Sequence, residues 1–222
     1  MKLFKKILLY LAGLLVIAVG INISKLSGLG ISPVSSIPRA LEVIWGYTLG
    51  TMVIVIYCLL ILIQVLVLRK QFKPIQVLGI PVAIVFGWMV DFVGINPDAF
   101  GHLLSFLPKP QNYFMQLVCL LGSIVLIGTG VWLYLKPKLI PMPAEGLAAA
   151  ISQKTGKQFG DCKTLVDCSM IAIALILQLI FLGGFSSFTG DKVVVREGTI
   201  LSALLVGQFV KLLNKIIPKK AQ

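Results

Sequence analysis

The stretch that decides the fold reads Gly30-Ile31-Ser32-Pro33-Val34-Ser35-Ser36-Ile37-Pro38-Arg39-Ala40-Leu41. An apolar run long enough to cross a bilayer precedes it, and another follows it. Ser32 followed by Pro33 is typical of an N-cap and a first helical residue, so we predict a short helix from Pro33 to Trp45, ended by Gly46. The start of such a helix carries free backbone N–H groups, which a membrane protein tolerates only where protein or water surrounds them.

The composition indicates a polytopic α-helical membrane protein. The chain has 222 residues, of which 58% are hydrophobic, and its mean hydropathy is +0.99. The net charge of +12 falls in short clusters between the apolar runs rather than on one face, so we expect the lipid bilayer, and no nucleic acid, as a partner. Four cysteines without a CxxC pair and a single histidine predict neither a metal site nor a cofactor.

Six transmembrane helices and two short helices follow from the pattern. The basic start and the apolar run to Ile23 could be a signal peptide, but the run is long for one and the chain beyond it is itself apolar, so a first span is preferred. The predicted spans are 7–23, 49–68, 74–93, 113–135, 160–182 (or 163–182) and 196–213, with short helices at 33–45 and 143–152. Loops at 94–111 and 183–195 and a basic tail at 215–222 complete a single transmembrane domain, 1–222.

The distribution of basic residues predicts the orientation. With both termini inside, Lys and Arg concentrate in the inside segments around 69–73 and 136–163 and in the tail, and fewer remain outside. The positive-inside rule therefore places both termini in the cytoplasm.

An internal repeat is predicted from glycine, proline and cysteine positions that recur 110 residues apart. The pairs are Gly20 and Gly130, Pro33 and Pro143, Gly46 and Gly156, Gly50 and Gly160, and Cys58 and Cys168; after a longer loop, Gly87 matches Gly207. The halves, 7–93 and 113–214, each hold three spans and one short helix. Because three is odd, the second half is inverted relative to the first, an architecture of many secondary transporters.

These segments carry a family resemblance. Gly30–Pro38, Pro143-Ala144-Glu145-Gly146-Leu147, Lys154-Thr155-Gly156-Lys157 and the segment Arg196–Gly207 resemble the YczE-like family of bacterial membrane proteins, which is related to the YitT group. The likeness covers about Ile7 to Asn214. It implies an integral protein of the bacterial plasma membrane, and it implies no substrate.

A central polar site is predicted at the interface between the halves. Helix N-termini and Arg39 would hold an anionic group, and Glu145 would couple a proton or bind the cationic group of a substrate. The expected substrate is a small zwitterion or an organic anion. The predicted lining residues are Ser35, Ser36, Arg39, Glu145, Arg196 and Gln208.

Simpler interpretations of Glu145, Arg39 and Asp91 stay open. Glu145 can complement the start of its own helix. Arg39, three residues before Glu42, can form a local surface ion pair. Asp91 can simply reach water.

The charges and amides on the later helices have alternatives as well. Lys163 and Asp167 have the i,i+4 spacing of an intrahelical pair. Arg196 can extend to the interface, or pair with Glu145 if helix 6 lies near the short helices. Gln208, like Gln64 and Gln178, can bond a neighbouring helix or face a polar cavity.

A transporter or permease is the favoured function, and an enzyme is not expected, because the only histidine, His102, lies in a loop. A substrate-binding membrane subunit of a larger transport complex is the first alternative. A structural or regulatory membrane protein without a ligand is the second. A homodimer or a partner subunit is compatible with each of them.

Overall fold

The computed structural model describes residues 3–72, 74–94, 103–182 and 193–216. Within them the secondary structure is helical, and short 3-10 turns at Arg69–Gln71 and Pro74–Leu78 precede α4. The predicted all-α class is confirmed, and the described part of the chain has six helices long and apolar enough to cross a membrane and two short ones. The α-helices are α1 Leu3–Ser27, α2 Pro33–Trp45, α3 Leu49–Leu68, α4 Gly79–Phe92, α5 Tyr113–Leu135, α6 Pro143–Thr155, α7 Phe159–Phe181 and α8 Glu197–Ile216.

The short helix α2 has the predicted bounds. Pro33 is its first residue, and Gly46 ends it in the left-handed region with φ of 75°, where glycine carries no steric penalty. Ser32 occupies the predicted N-cap position, but its side chain makes no capping hydrogen bond. Its hydroxyl donates instead to the hydroxyl of Ser35 at 3.2 Å.

Two predicted spans differ most in their bounds, and α8 ends three residues later than predicted, at Ile216. α1 runs from Leu3 to Ser27, four residues further at each end; the extension at its start includes basic residues, which are good helix formers. The predicted helix 74–93 is a 3-10 turn followed by α4. Pro81 therefore lies in the first turn of α4, where its missing N–H removes no helical bond. Residues 95–102 of the predicted loop 94–111, which include His102, and residues 183–192 of the predicted loop 183–195 lie outside the described residues.

The centre of the bundle is the crossing of α1 and α5. A Cβ on Gly130 would lie 2.8 Å from the carbonyl oxygen of Gly13, and one on Gly13 would lie 2.6 Å from the amide nitrogen of Tyr134. The two backbones are therefore in direct contact, as small residues permit in membrane helices. α3 packs on α4 and α6, and α2 packs on α7. Large apolar side chains cover the outward faces of the spans, which implies contact with a lipid bilayer.

The two short helices lie at opposite ends of this bundle. α2 contacts α1 through Glu42, which binds Lys25 near the C-terminal end of α1. The residues leading into α6 contact the other end, where the Tyr10 hydroxyl donates to the carbonyl of Ile140 at 2.9 Å. Tyr10 and Lys25 are separated by about 22 Å along one helix at 1.5 Å per residue. We call these the Glu42 end and the Glu145 end.

Candidate functional site

A buried ion cluster occupies the Glu42 end. Lys25 Nζ lies 2.5 Å from Glu42 Oε1, and Arg39 Nη1 lies 2.7 Å from Glu42 Oε2. The exposed fractions of the three side chains are 10%, 12% and 4% for Lys25, Arg39 and Glu42. The i,i+3 pair is confirmed, but its expected surface position is wrong: the carboxylate is buried and shared with a second cation. We call these three residues the Glu42 cluster.

The serines of α2 are used inside the fold. Ser35 and Ser36 are both buried. Ser36 donates to the carbonyl of Pro33 at 2.6 Å and lies 3.3 Å from that of Met170 in α7. Ser35 accepts the hydroxyl of Ser32. These hydrogen bonds stabilise the first turn of α2 and join it to α7. The two serines predicted to bind a ligand therefore use their hydroxyl groups within the fold.

A second charged cluster lies at the other end, around the first turn of α6. Lys163 Nζ is 2.5 Å from Asp167 Oδ1 and 3.9 Å from Glu145 Oε1, so the predicted Lys163–Asp167 pair is confirmed. The hydroxyl groups of Tyr10 and Tyr134 are both near enough to interact with the Glu145 carboxylate. The two tyrosine rings meet edge to face, with centroids 5.9 Å apart. We call these five residues the Glu145 cluster.

Two polar atoms of this cluster lack a hydrogen bond of normal geometry within the described part of the chain. Glu145 Oε2 and the Tyr134 hydroxyl are both buried and are near enough to interact with each other, but neither makes a well-formed hydrogen bond to a described residue. Buried polar atoms are nearly always hydrogen-bonded, so two such atoms near each other indicate a place for a proton, a water molecule or a ligand group. By contrast, the Tyr10 hydroxyl is bonded to the carbonyl of Ile140.

The charge of the Glu145 cluster favours a positive partner. One ammonium, Lys163, faces two carboxylates, Glu145 and Asp167. α6 lies outside the six candidate spans. Burial raises the pKa of the Glu145 carboxyl, and the attraction of Lys163 opposes this shift. The site can therefore take up a proton or a cationic group at Glu145 without collecting excess positive charge.

Arg196 and Gln208 belong to neither cluster. Arg196 binds Glu197 with Nη2 at 2.7 Å and Nε at 3.0 Å, and its Nη1 lies 3.3 Å from the carbonyl oxygen of Gly28. The expectation that it pairs with Glu145 is wrong, because Arg196 anchors the start of α8 to the α1–α2 linker. Gln208 is exposed on α8. The six predicted residues thus do not line one pocket: Arg39 and Glu145 lie at opposite ends of the bundle.

Three further polar residues join helices to their neighbours. Gln64 donates to the carbonyl of Pro143 at 2.9 Å, and the side-chain oxygen of Gln178 accepts the backbone N–H of Val195 at 2.7 Å. Asp91 is partly exposed; it accepts the hydroxyl of Thr48 at 2.6 Å and the N–H of Gly50 at 2.7 Å. It thereby satisfies donors at the start of α3.

Sequence reasoning missed Lys25, Tyr10 and Tyr134 as members of these clusters. Two tyrosines within otherwise apolar spans were the available signal, since a buried phenol needs a hydrogen-bond partner. Lys25 gave less warning, because a lysine near the end of a span normally extends to the interface.

Comparison with known proteins places the chain among bacterial relatives of similar length. It is 29% identical to the uncharacterized protein YyaS of Bacillus subtilis (strain 168), over 96% of this chain and 94% of that protein. It is 26% identical to the uncharacterized membrane protein YczE of the same strain, over 95% and 90%. It is also 25% identical to an uncharacterized protein of Haemophilus influenzae (strain ATCC 51907 / DSM 11121 / KW20 / Rd), over 97% and 86%.

No solved structure matches the chain. The model of a family of unknown function, DUF6198, matches residues 4–215, which is nearly the whole chain. The match includes all six candidate spans and leaves out only the first residue of α1 and the last residue of α8. The YczE relative confirms the resemblance expected from the motifs. The chain is therefore a multi-pass integral membrane protein that belongs to the DUF6198 family and is YczE-like.

Proposed function

We propose that this protein is a small-molecule transporter of the bacterial plasma membrane, built from two inverted halves with both termini in the cytoplasm. The Glu145 cluster is its binding site for a proton or a cationic group. Of the two predicted substrate classes, a small zwitterion fits this site better than an organic anion, because the carboxylates of the cluster outnumber its ammonium.

The inverted repeat is supported by matching geometry in the two halves. α2 and α6 both have 13 residues, both begin with proline, and both end before a glycine with φ of 75° and 72° respectively. α2 packs on α7, and α6 packs on α3. Such exchanged pairing is what a two-fold axis between the halves requires.

The central helices repeat the same reciprocity. A Cβ on Gly20 would meet Ile127 at 2.7 Å, and one on Gly130 would meet Ile17 at 2.6 Å. Each residue of the first contact lies 110 positions from a residue of the second. The contact of residue i with residue j is thus repeated with the roles of the halves exchanged, as in an isologous interface.

The observation that carries the transport proposal is the buried oxygen of Glu145 near the buried hydroxyl of Tyr134, neither of which makes a well-formed hydrogen bond to a described residue. Ionisable groups inside membrane proteins are costly and mark solute or proton pathways. A buried polar atom without a hydrogen bond costs about 1–3 kcal/mol. If the first turn of α6 had only a structural role, an apolar residue in place of Glu145 would avoid this cost.

Transport can be tested in proteoliposomes loaded with a pH-sensitive dye. A panel of small zwitterions, such as α-amino acids and betaines, is added outside under an imposed pH gradient. We expect at least one solute to drive proton movement through the wild-type protein, and we expect Glu145→Gln to abolish it. Glu197→Gln is the matched control, since Glu197 is a partly exposed carboxylate at the other end of the bundle, and this variant should retain the flux.

Three outcomes would contradict the proposal in different ways. If Glu145→Gln retains both transport and its pH dependence, Glu145 has no part in the mechanism. If a solute raises the melting temperature of the purified protein without any flux, the substrate-binding subunit is the better reading. If no solute of the panel produces flux or a thermal shift, a structural or regulatory role is favoured.

A further inference from the structure

The first half of the protein contains a tight glycine contact between α3 and α4. A Cβ on Gly50 would lie 2.1 Å from the carbonyl oxygen of Gly87, and a Cβ on Gly87 would lie 2.6 Å from that of Gly50. The two backbones therefore touch at these glycines. Asp91, one turn beyond Gly87, locks the contact by accepting bonds from Thr48 and Gly50.

The second half carries the same glycines but not the contact. Gly160 of α7 and Gly207 of α8 correspond to Gly50 and Gly87. Among the described residues, a Cβ built on either glycine would meet no atom within 4 Å beyond its chain neighbours and the adjacent backbone of its own helix. α7 and α8, both fully described, do not pack along each other, whereas α3 and α4 do.

The separated helices also present complementary charges. The alignment that matches Gly87 with Gly207 matches Asp91 with Lys211. On α7, Asp161 directly follows Gly160. This start of α7 corresponds to the start of α3, where Asp91 accepts hydrogen bonds in the first half. Asp161 and Lys211 are both exposed. If α7 and α8 met at their glycines, Lys211 would lie beside Asp161. This position corresponds to the one where Asp91 binds the start of α3 in the first half.

We propose that the protein has a second packing in which α7 and α8 meet at Gly160 and Gly207, with Lys211 beside Asp161, while α3 and α4 part at Gly50 and Gly87. This inference rests on the proposed inverted repeat. The halves exchange conformations, so that the open side of the bundle moves from the second half to the first. Such an exchange supplies the two access states that a transporter with inverted repeats needs.

Disulfide trapping reads the second packing directly. The four cysteines at 58, 119, 162 and 168, all free, are first replaced by serine or alanine. Gly160→Cys and Gly207→Cys are then combined. Both positions are open, so both substitutions should fold. A disulfide requires Cβ atoms about 3.5–4.5 Å apart, a distance that the present packing does not offer between these residues.

We expect mild oxidation in liposomes to form an intramolecular disulfide in the Gly160→Cys/Gly207→Cys protein. It should form at least tenfold faster than in the matched control Gly122→Cys/Gly160→Cys. Gly122 is equally open, but it has no repeat-related contact with Gly160. Cross-linking no faster than in this control overturns the proposal. A disulfide that joins two chains, seen as a species of doubled mass, also overturns it and identifies the open faces as a contact between copies.

A charge exchange tests the role of Lys211 independently. In the Gly160→Cys/Gly207→Cys protein, Lys211→Glu should slow cross-linking severalfold, and adding Asp161→Lys should restore the rate. A rate unchanged by either step removes the ion pair from the proposal. The assay needs no solute, so its failure leaves the Glu145 site untouched. Failure of the Glu145→Gln transport test, in turn, does not affect the cross-link.

Discussion

Gly50→Ala should destabilise the protein strongly, and Gly160→Ala should not, although the two glycines occupy matching places in α3 and α7. At Gly50 the new methyl group would lie 2.1 Å from the carbonyl oxygen of Gly87. α3 and α4 must then separate, which costs about 1–3 kcal/mol as overpacking. The separation also weakens the bond from the Gly50 N–H to the Asp91 carboxylate, a bond to a charged group worth about 1.5–3 kcal/mol.

The gain in helix propensity offsets only part of this loss. Replacing glycine by alanine in a helix returns about 1 kcal/mol at most. The net effect of Gly50→Ala is therefore a loss of about 2–4 kcal/mol. For a chain of this size it corresponds to a melting temperature lower by about 5–15 °C. The methyl group of Gly160→Ala would meet no described atom within 4 Å, so this substitution should leave the melting temperature unchanged or raise it slightly.

The measurement is thermal unfolding of the two purified variants in the same detergent, followed by near-ultraviolet fluorescence and by loss of the monodisperse peak in size-exclusion chromatography. Equal melting temperatures for the two variants would show that α3 and α4 are not in glycine-mediated contact. A large fall for Gly160→Ala would show that α7 and α8 are already packed, and it would refute the description of the second half as open.

Other substitutions probe the two charged clusters. Glu42→Gln should prevent accumulation of folded protein, because it leaves two buried cations without their shared carboxylate at a cost of about 3–5 kcal/mol; detergent-soluble yield is the readout, and a wild-type yield would contradict it. Tyr134→Phe should be neutral or slightly stabilising, since its hydroxyl makes no well-formed hydrogen bond to a described residue, whereas Tyr10→Phe should lose about 1 kcal/mol with its 2.9 Å bond; an equal loss in both would show that Tyr134 is bonded. Glu145→Gln should have the stability of the wild type near pH 5 and exceed it near pH 8. A carboxyl with a raised pKa weakens the folded state as pH rises through that pKa; a wild type more stable than the variant at pH 8 would show that the ion pair with Lys163 dominates.

Much of the fold was predictable because local signals in this chain agree with the tertiary structure. The α2 prediction depended on proline at the first helical position and glycine at the left-handed end, and both are backbone requirements that packing does not alter. The i,i+4 pair of Lys163 and Asp167 was predictable for the same reason, since helix geometry alone brings the two side chains together. The bounds of α1 and α4 were less predictable, because charged but helix-forming residues extend a span, and a 3-10 turn has no distinct pattern.

The composition of the site was not predictable in the same way, and the proposed inversion explains why. An offset of 110 residues identifies which positions are equivalent, but it says nothing about which positions are neighbours. If the second half is inverted, corresponding elements such as α2 and α6 are carried to opposite ends of the bundle. Arg39 on α2 and Glu145 on α6 were grouped because both are charged residues on short helices of the same kind. Because the two helices are equivalent elements of the proposed inverted halves, they lie at opposite ends of the bundle, and so do these two residues. Lys25 and Tyr134 join the two clusters from long helices that reach those ends, so the partners of each charge had to be read from the packing of α1 and α5. A single small zwitterion therefore cannot bridge Arg39 and Glu145, and any coupling between the two ends must pass through a rearrangement of the helices between them.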